Sequence, residues 1–546
     1  MESSRNITPE DVVDTYNTLD AEKGTFKSHL QEIADYMVPE GQNVTNQPTM
    51  GGKRMSKIYD GTAIRALRIF ANGMYGNLSP LSTPWFIVTA KDKRVAEMSN
   101  AKFWLADTTE RMRNAVNASN APLALHEIYK AEGWAGTGVL YTDEGRRYAI
   151  NCQTFSIGNC CITEDAEGVV DGLFRLEKFT ARQCIQKWGK KCSAKIVKAF
   201  NDGKKNEIFE IIHGVFRRNE YDWRKIDAVN MPYASMYCER LTMNPLEEGG
   251  FHEFPYAVPR WEKTSGEAYG RSCGMDALPD TKMLNQMCYD NMRGVQKSID
   301  PPIFAPSEAS LSTNNTRAGG IIFYKSGHKP ETLNSNGRFD IALEVENGRR
   351  DAVKMSFYND LFQLLAQDPT NEKTAYEISK RLEENISILG PALGRQQTEL
   401  FDPFLSRVFS IMLRKGLFLP PPPELVDQGL AIEYVGRLAL AMKSQETQAT
   451  GVVLNFVSPL AEAKPEILDN FDVDEIVQGT ATRAGMPIKY LVAPEVRDQR
   501  RQERAEQLAK QQQSAELQAV AQQLPNLSKA PEPGSMAAQV LNQGAA

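Results

Sequence analysis

The chain has 546 residues, of which 41% are hydrophobic and 24% charged, and its formal net charge at pH 7 is −6. This length exceeds what one hydrophobic core supports, so we expect about two to four domains. The acidic balance argues against a general nucleic-acid-binding protein, because such proteins are normally basic.

The N-terminal region is predicted to be helical. Thr8, Pro9 and Asp11 form a capping-box pattern, and apolar residues from Val12 to Met37 then recur at helical spacing on one face. This periodicity predicts one helix that ends near Pro39. Further helices are predicted over residues 60–75, where Gly73 and Gly76 loosen the end, and over 92–117 and 121–133, with a strand over 85–89.

Between residues 138 and 241 the pattern changes to short β-like runs. Asp165 to Gly168 is predicted to be a hairpin turn, and Thr180 to cap a short helix over Cys184 and Trp188. Residues 1–266 are therefore predicted to form one α+β domain with helices first and an antiparallel sheet after. The predicted strands are 139–141, 155–157, 160–163, 169–176, 207–217 and 235–241.

The second half begins with a predicted amphipathic helix over residues 275–299. Pro279 is expected in its first turn, and Pro301 and Pro302 end it. Residues 303–339 are polar, with one strand-like run at 321–324. A second long helix is predicted over 349–366, with Gly348 interrupting its start. The apolar stripe of the first helix consists of Leu284, Cys288, Met292, Val295 and Ile299.

A charged loop at residues 368–373 precedes a third predicted helix. This helix is expected to kink at Gly390 and Pro391, to continue past Pro403 to Lys415, and to stop at Gly416. The proline run 420–423 is predicted to be a domain boundary, because consecutive prolines make a stiff spacer. Residues 424–495 are predicted to alternate short helices with turns, and the later residues to form a solvated helix that fades into disorder.

One motif has a catalytic pattern. Gly270 to Gly274 matches the G-x-S-x-G nucleophile elbow, with Ser272 at its centre. An elbow needs a buried strand before it, whereas residues 264–269 are polar, and only His328 follows Ser272. A glycine-rich turn before a helix is the favoured interpretation, and a serine hydrolase using Ser272 stays open as the enzymatic alternative.

Other kinds of site find no support in the sequence. The five histidines are widely spread without an H-E-x-x-H pattern, no cysteine pair has zinc-finger spacing, and there is no Walker A sequence. The eight cysteines have no paired spacing, which indicates reduced thiols in a cytosolic setting. No apolar run approaches the roughly 18–20 residues that span a bilayer, and Met1 to Asn6 lack the apolar core of a secretory signal. We expect no catalytic, metal or cofactor site and no membrane partner, hence a structural or assembly protein and not an enzyme.

A set of short motifs follows a fixed order along residues 5–500. The motifs are Tyr59 to Ala63, Leu78 to Phe86, Glu164 to Asp171, Phe179 to Gln183, Tyr269 to Arg271, Ala277 to Asp280, Leu284 and Asn285, Pro301 and Pro302, Thr374 and Ala375, Glu377, Arg381, Glu383 and Glu384, and Leu389 to Pro391. Together they resemble the head-to-tail connector, or portal, proteins of short-tailed, podovirus-type bacteriophages. One departure is that the family commonly has Gly-Pro after Tyr-Gly-Arg-Gly, whereas this chain has Ser272-Cys273-Gly274.

The resemblance implies an α+β, predominantly α-helical portal-type subunit with an α+β wing, paired stem helices, a small β-containing clip and a helical crown. The implied boundaries are 1–266 for the wing, 267–302 for stem helix 1, 303–340 for the clip, 341–367 for stem helix 2, 368–418 for the tunnel loop and a long kinked wing helix, 419–500 for the crown and 501–546 for a polar, partly disordered tail.

The resemblance also implies a function. Twelve subunits would form a ring at one capsid vertex, the conduit for packaging and ejection of double-stranded DNA and the platform for the tail. The implied partners are a terminase motor, major capsid and scaffolding proteins, and tail adaptors at the clip, in a virion assembled in the host cytoplasm. A structural oligomer unrelated to DNA is the remaining alternative. The candidate channel-lining residues are Asp290, Arg293, Lys297, Asn371, Glu372 and Lys373.

Overall fold

A computed structural model describes residues 8–39, 44–45, 58–222, 224–225, 227–299, 303–304, 331–332, 339–366, 389–426, 429–435 and 494–523, with a few isolated positions between 453 and 492. These residues form an α+β fold in which helices predominate, as the sequence predicts. The chain divides into two compact units. The first comprises residues 1–86, 111–418 and 434–446, and the second comprises 87–110, 419–433 and 447–546.

The first helices begin as predicted, with Thr8 and Asp11 forming the capping box. The prediction of one helix up to Pro39 is wrong, because the chain turns at Lys23. This lysine is buried, and its ammonium group donates hydrogen bonds to the carbonyls of Ile157 and Cys160. The early helices are α1 (Pro9–Glu22), α2 (Gly24–Met37), α3 (Thr62–Leu78), α4 (Lys93–Glu97), α5 (Ser99–Ala118) and α6 (Ala121–Ala135).

The predicted antiparallel sheet is present as a five-stranded meander, accompanied by a smaller three-stranded sheet. The hairpin turn at Asp165 to Gly168 is confirmed, since Gly168 has φ +79° and Asp165 N–H donates to Val169 O. The strand predicted at 155–157 is wrong; a 3-10 turn occupies 157–159. The small sheet has order β3 (Ile150–Thr154), β2 (Leu140–Glu144), β9 (Tyr256–Ala257), and the meander has order β4 (Cys160–Glu164), β5 (Val170–Thr180), β6 (Ile208–Arg217), β7 (Tyr233–Glu239), β8 (Pro245–Phe251).

The meander lies between helices on both faces. Strand alternation sends Ile211 of β6 to one face and Ile212 to the other. On the Ile212 side, residues of α1 pack in one hydrophobic cluster. On the Ile211 side, α7 (Ala181–Trp188) and α8 (Ala194–Asn201) form a second cluster. Thr180 caps α7 as predicted, with Gln183 completing a capping box.

The two long helices of the second half are present but differ from prediction. The first, α9 (Cys273–Ile299), starts early enough to place Pro279 inside the helix. The second is interrupted at Tyr358, which has φ +53°, so it comprises α10 (Phe339–Ser356) and α11 (Asn359–Ala366). Gly348 does not interrupt α10. Gly73 lies inside α3, where its missing side chain leaves room for Phe362 of α11.

The last helical segment of the first unit contains a π-helical stretch. Residues 389–395 are helical, Gln396–Phe401 are π-helical, and α12 (Asp402–Arg414) follows. Pro403 lacks an N–H, which favours a change of hydrogen-bond register just before it. Glu399 in the π-helical stretch accepts two hydrogen bonds from the buried Arg260 guanidinium, at 2.7 and 3.0 Å. The predicted stop at Gly416 is confirmed, with φ +65°.

Strand β1 (Phe86–Ala90) pairs with β12 (Leu430–Tyr434), a strand that the sequence did not predict, and all but one residue of each belong to the second unit. Trp104 Nε1 donates to Leu419 O at 2.9 Å, next to the proline run. The solvated C-terminal helix is confirmed as α13 (Pro494–Gln523). In the part of the chain that the structure describes, no helix combines the length and the apolar character that a bilayer crossing requires.

Candidate functional site on the paired helices

Helices α9 and α10 form an antiparallel pair. Arg349 of α10 donates to Asp280 near the start of α9 at 2.8 Å, while Asn291 further along α9 donates to Glu346 at 3.1 Å. Residues later in α9 therefore contact residues earlier in α10, as in an antiparallel pair. Two short strands that lie between these helices in the sequence, β10 (Ile303–Phe304) and β11 (Glu331–Thr332), pair antiparallel. The two helices and two strands together are called the helical hairpin below.

A buried polar cluster attaches the hairpin to the start of α3. The Arg350 guanidinium donates to Asp60 Oδ2 and to Glu346 Oε2, both at 2.9 Å. The side chains of these two acids are 9% and 5% exposed. Burial alone raises the pKa of Asp60, but hydrogen bonds from Thr62 and Arg350 bring it below its usual value. The cluster therefore contains ionised groups whose burial is compensated by pairing.

The sequence did not identify this cluster. The motif from Tyr59 to Ala63 drew attention to Asp60, and Tyr59 N–H also donates to Asn285 Oδ1 of α9 at 2.7 Å. Arg350, however, lies 290 positions further along the chain. No local pattern links two residues so far apart, so only the fold shows that the motif anchors the hairpin.

Beyond the cluster, the apolar stripe of α9 is not packed within the chain. Leu284 is buried and Cys288 half-buried, whereas Met292, Val295 and Ile299 are 45%, 39% and 79% exposed. The amphipathic pattern is confirmed, but only the first part of the stripe is buried within the single chain. Exposed apolar side chains also lie on the facing end of α10, namely Ile341, Leu343 and Val345. Of the two helices, α9 presents its exposed apolar side chains on one face, since Met292, Val295 and Ile299 are spaced by three and four, and such a face is typical of an association surface.

The predicted channel residues of α9 lie on another face. Asp290, Arg293 and Lys297 are exposed at spacings of three and four, so they share one side of the helix. They precede Met292, Val295 and Ile299 by two positions each, about 200° around the helix, which places charges and apolar groups on opposite faces. Their assignment to a channel stays a prediction. Asn371, Glu372 and Lys373 lie outside the described residues.

Ser272 has the geometry of a helix cap. Its hydroxyl accepts a hydrogen bond from Met275 N–H at 3.0 Å and donates to Trp134 O at 3.0 Å, and the residue is 1% exposed. Gly270 lies where a side chain would collide with the backbone of Gly136. The glycine-rich turn is thus explained by close backbone packing. With both hydroxyl bonds made to backbone groups, this geometry does not support a nucleophile.

The described residues contain no group of three or more His, Cys, Asp or Glu side chains placed to hold a metal ion. All eight cysteine thiols are free, and seven of them are buried. Burial raises the pKa of the remaining thiol, Cys288, to about 11, and the charges of Glu346 and Asp60 act in the same direction. This thiol is therefore protonated at neutral pH and a weak nucleophile.

Comparison with known proteins adds three findings. Residues 10–491 match the family described as bacteriophage head to tail connecting protein. The probable portal protein of Bordetella phage BPP-1 is 30% identical over 512 residues, covering 92% of each chain, and the portal protein of Salmonella phage epsilon15 is 30% identical over 518 residues, covering 93% of each. A chain of the solved "Virion of native gene transfer agent (GTA) particle" has 10% identity and a TM-score of 0.33, covering 77% of this chain and 94% of that one.

Proposed function

The chain belongs to the family of bacteriophage head to tail connecting proteins, and from this premise we propose that it is a portal subunit. Copies of it form a ring at one vertex of a phage capsid, through which double-stranded DNA enters during packaging and leaves during ejection. The observation that carries the proposal is the family match over residues 10–491, together with two portal proteins that align over more than nine-tenths of the chain.

The helical hairpin supports ring assembly. Its apolar side chains Met292, Val295 and Ile299 are exposed in the single chain, and leaving such a surface in water is unfavourable. A ring is built from heterologous contacts, in which each subunit presents two different complementary surfaces. The apolar face of α9 is one such surface, and a neighbouring hairpin covers it.

The same proposal assigns the parts of the subunit. Residues 1–266 are the wing, 267–302 and 341–367 the stem helices, 303–340 the clip and 419–500 the crown, while 368–418 supply the tunnel loop and a wing helix. Twelve subunits form the ring, the clip meets tail adaptors, capsid and scaffolding proteins surround the wing, and a separate terminase drives DNA. The protein is then a virion component that assembles in the host cytoplasm.

The acidity of the chain suits a conduit. Each chain has a formal charge of −6, so twelve copies together carry about −72. The electrostatic field of such a ring does not hold polyanionic DNA tightly. DNA that must move through a channel needs weak binding along the path. The charges of α9, opposite its apolar face, would then be the side chains that line the water-filled lumen.

The test is the appearance and mass of the purified protein. Negative-stain images and native mass measurement are expected to show a ring of about twelve subunits with an open central hole. A compact monomer at assembly concentrations would end the proposal. A closed oligomer without an axial hole would instead favour a structural protein that does not conduct DNA.

A further inference from the structure

Residues 178–205 carry charge of the opposite sign to the rest of the chain. They contain eight lysines and one arginine but a single acid, Asp202, so their formal charge is +8. The remainder of the protein has 54 basic and 68 acidic side chains, a formal −14. This segment, called the basic module, comprises the end of β5, helix α7, a 3-10 turn at Gly189–Lys191, helix α8 and the turn after it.

All nine cationic side chains of the basic module are exposed. Within the part of the chain that the structure describes, none of the nine forms an ion pair. The nearest acids of the sheet have other partners, since Glu177 pairs with Arg175 at 2.9 Å and Glu247 accepts from Trp188 Nε1 at 3.0 Å. The Lys187 ammonium lies over the Tyr237 and Trp188 rings at 4.0 and 4.6 Å, and the positive charge of the other eight side chains is available to an external anion.

The module is a fixed platform. Trp188 and Cys184 of α7 and Ile196 of α8 pack on the Ile211 face of the meander. A capping box at Thr180 fixes the start of α7, and Gly189, with φ +55°, ends it. Charges presented from a packed support lose little conformational freedom on binding, which favours a polyanion of regular charge spacing.

The composition distinguishes between two classes of polyanion. Lysine is depleted and large apolar groups are enriched at protein–protein interfaces, yet the module has eight lysines, and none of its large apolar side chains is among those that are exposed. Lysine binds phosphate oxygens as a point charge, which is sufficient for a DNA backbone contact that reads no base sequence. These features fit DNA better than an acidic protein.

We propose that the basic module binds the phosphate backbone of double-stranded DNA on a surface that DNA reaches without passing through a ring. The acidic remainder of the subunit repels DNA, so contact concentrates on this one patch of each subunit. The site is separate from the channel assignment of Asp290, Arg293 and Lys297, and its test does not depend on whether those residues line a lumen.

The experiment measures binding of the purified full-length protein to closed circular plasmid DNA at several salt concentrations. A closed circle cannot thread a ring, so channel contacts do not contribute. The test variant changes Lys190, Lys191, Lys195 and Lys198 to Gln. The matched control changes four exposed arginines elsewhere in the first unit, Arg65, Arg146, Arg147 and Arg217, to Gln, which removes the same net charge.

We expect the module variant to lose roughly tenfold or more in affinity at low salt, and the slope of log affinity against log salt to become shallower by about 3 to 4, as four lost phosphate contacts require. Changing the same four lysines to Arg keeps the charge, so this variant should bind the plasmid as wild type does. Its binding distinguishes the loss of charge from misfolding caused by substitution at these positions. Equal losses in the module and control variants, or plasmid binding unaffected by the module variant, would overturn the proposal; the latter is the result expected if an acidic protein is the partner.

Discussion

Gln396 donates a hydrogen bond from its amide nitrogen to Oε2 of Glu132, and both side chains are completely buried. The Oε1 atoms of both residues have no hydrogen-bond partner among the described residues. Protonation makes the Glu132 carboxyl a hydrogen-bond donor as well as an acceptor. Burial raises the pKa of Glu132 to about 8, the hydrogen bond from Gln396 opposes this, and the charge of Glu399 adds to it. The carboxyl is therefore neutral at pH 7, and the pair joins α6 to the π-helical stretch.

This pair predicts that stability falls as pH rises from about 4.5 to about 8. Over that range the folded protein keeps a proton that the unfolded chain has released. Glu132→Gln keeps the shape without the charge, so the variant should lose less stability over this range, by a difference on the order of a few kcal/mol. The measurement is the urea midpoint of wild type and variant across the range. Glu127→Gln, an exposed change on α6, is the control, and parallel curves for wild type and Glu132→Gln would contradict the prediction.

Ser272 is predicted to matter for stability and not for chemistry. Ser272→Ala removes the cap of α9 and leaves Trp134 O without its donor, which should cost about 1–2 kcal/mol in the free energy of unfolding. Ser298→Ala, exposed at the far end of α9, should cost less than about 0.5 kcal/mol. Thermal unfolding measures both effects. An esterase activity present in wild type and abolished in Ser272→Ala would restore the hydrolase interpretation.

The sequence predicted those elements whose signals are local. The capping box at Thr8, the helix cap at Thr180 and the turn at Gly168 depend on residues within a few positions, and all three are confirmed. Helix interruptions that depend on contacts with distant residues were not predicted. The turn at Lys23 is held by the carbonyls of Ile157 and Cys160, and the turn at Tyr358 requires a positive φ that no local residue signals.

In the candidate site, too, the features with a local sequence signal were predicted and those that depend on distant contacts were not. Helical periodicity found the stripe from Leu284 to Ile299, but it could not distinguish core from subunit surface, since both are apolar at the same spacing. The structure shows which residues of the stripe are buried within the chain, since Leu284 is 2% exposed and Ile299 79%. The Arg350 cluster could not be predicted from the sequence, because an ion pair between residues 290 positions apart produces no periodic pattern in a single sequence.

Arg350 is predicted to stabilise the base of the hairpin. Arg350→Met keeps most of the apolar stem but leaves Asp60 and Glu346 buried without their cation, which should lower the free energy of unfolding by about 2–4 kcal/mol. Arg349→Met is a matched control on the next position, because its ion pair with Asp280 is more exposed and should contribute less than about 1 kcal/mol. Equal effects of the two changes in urea unfolding would mean that the buried cluster has no special role.

The exposed apolar face of α9 is predicted to be necessary for assembly. The double change Met292→Asp and Val295→Asp places charge where a neighbouring hairpin should pack, so it should shift the purified protein from rings to monomers. Folding should be preserved, because both side chains are already exposed in the single chain. Gln296→Asp, an exposed polar position on the same helix, is the control. Light scattering reports the mass, and intact rings in the double variant would show that this face is not an interface.

The charges opposite that face give the last prediction. If α9 lines the lumen, Arg293 and Lys297 form isolated positive rings in an acidic channel, and Lys373 of the tunnel loop forms another. Reversing each to Glu would extend the negative field along the path and should lower the amount of DNA packaged per head, with the effect largest at low salt. Asp290→Asn is the opposite change on the same face and should not reduce packaging. Because Arg293 also lies over the Tyr289 ring, at 5.6 Å, Arg293→Gln separates loss of this contact from charge reversal. Unchanged packaging in all three reversal variants would place these side chains outside the channel.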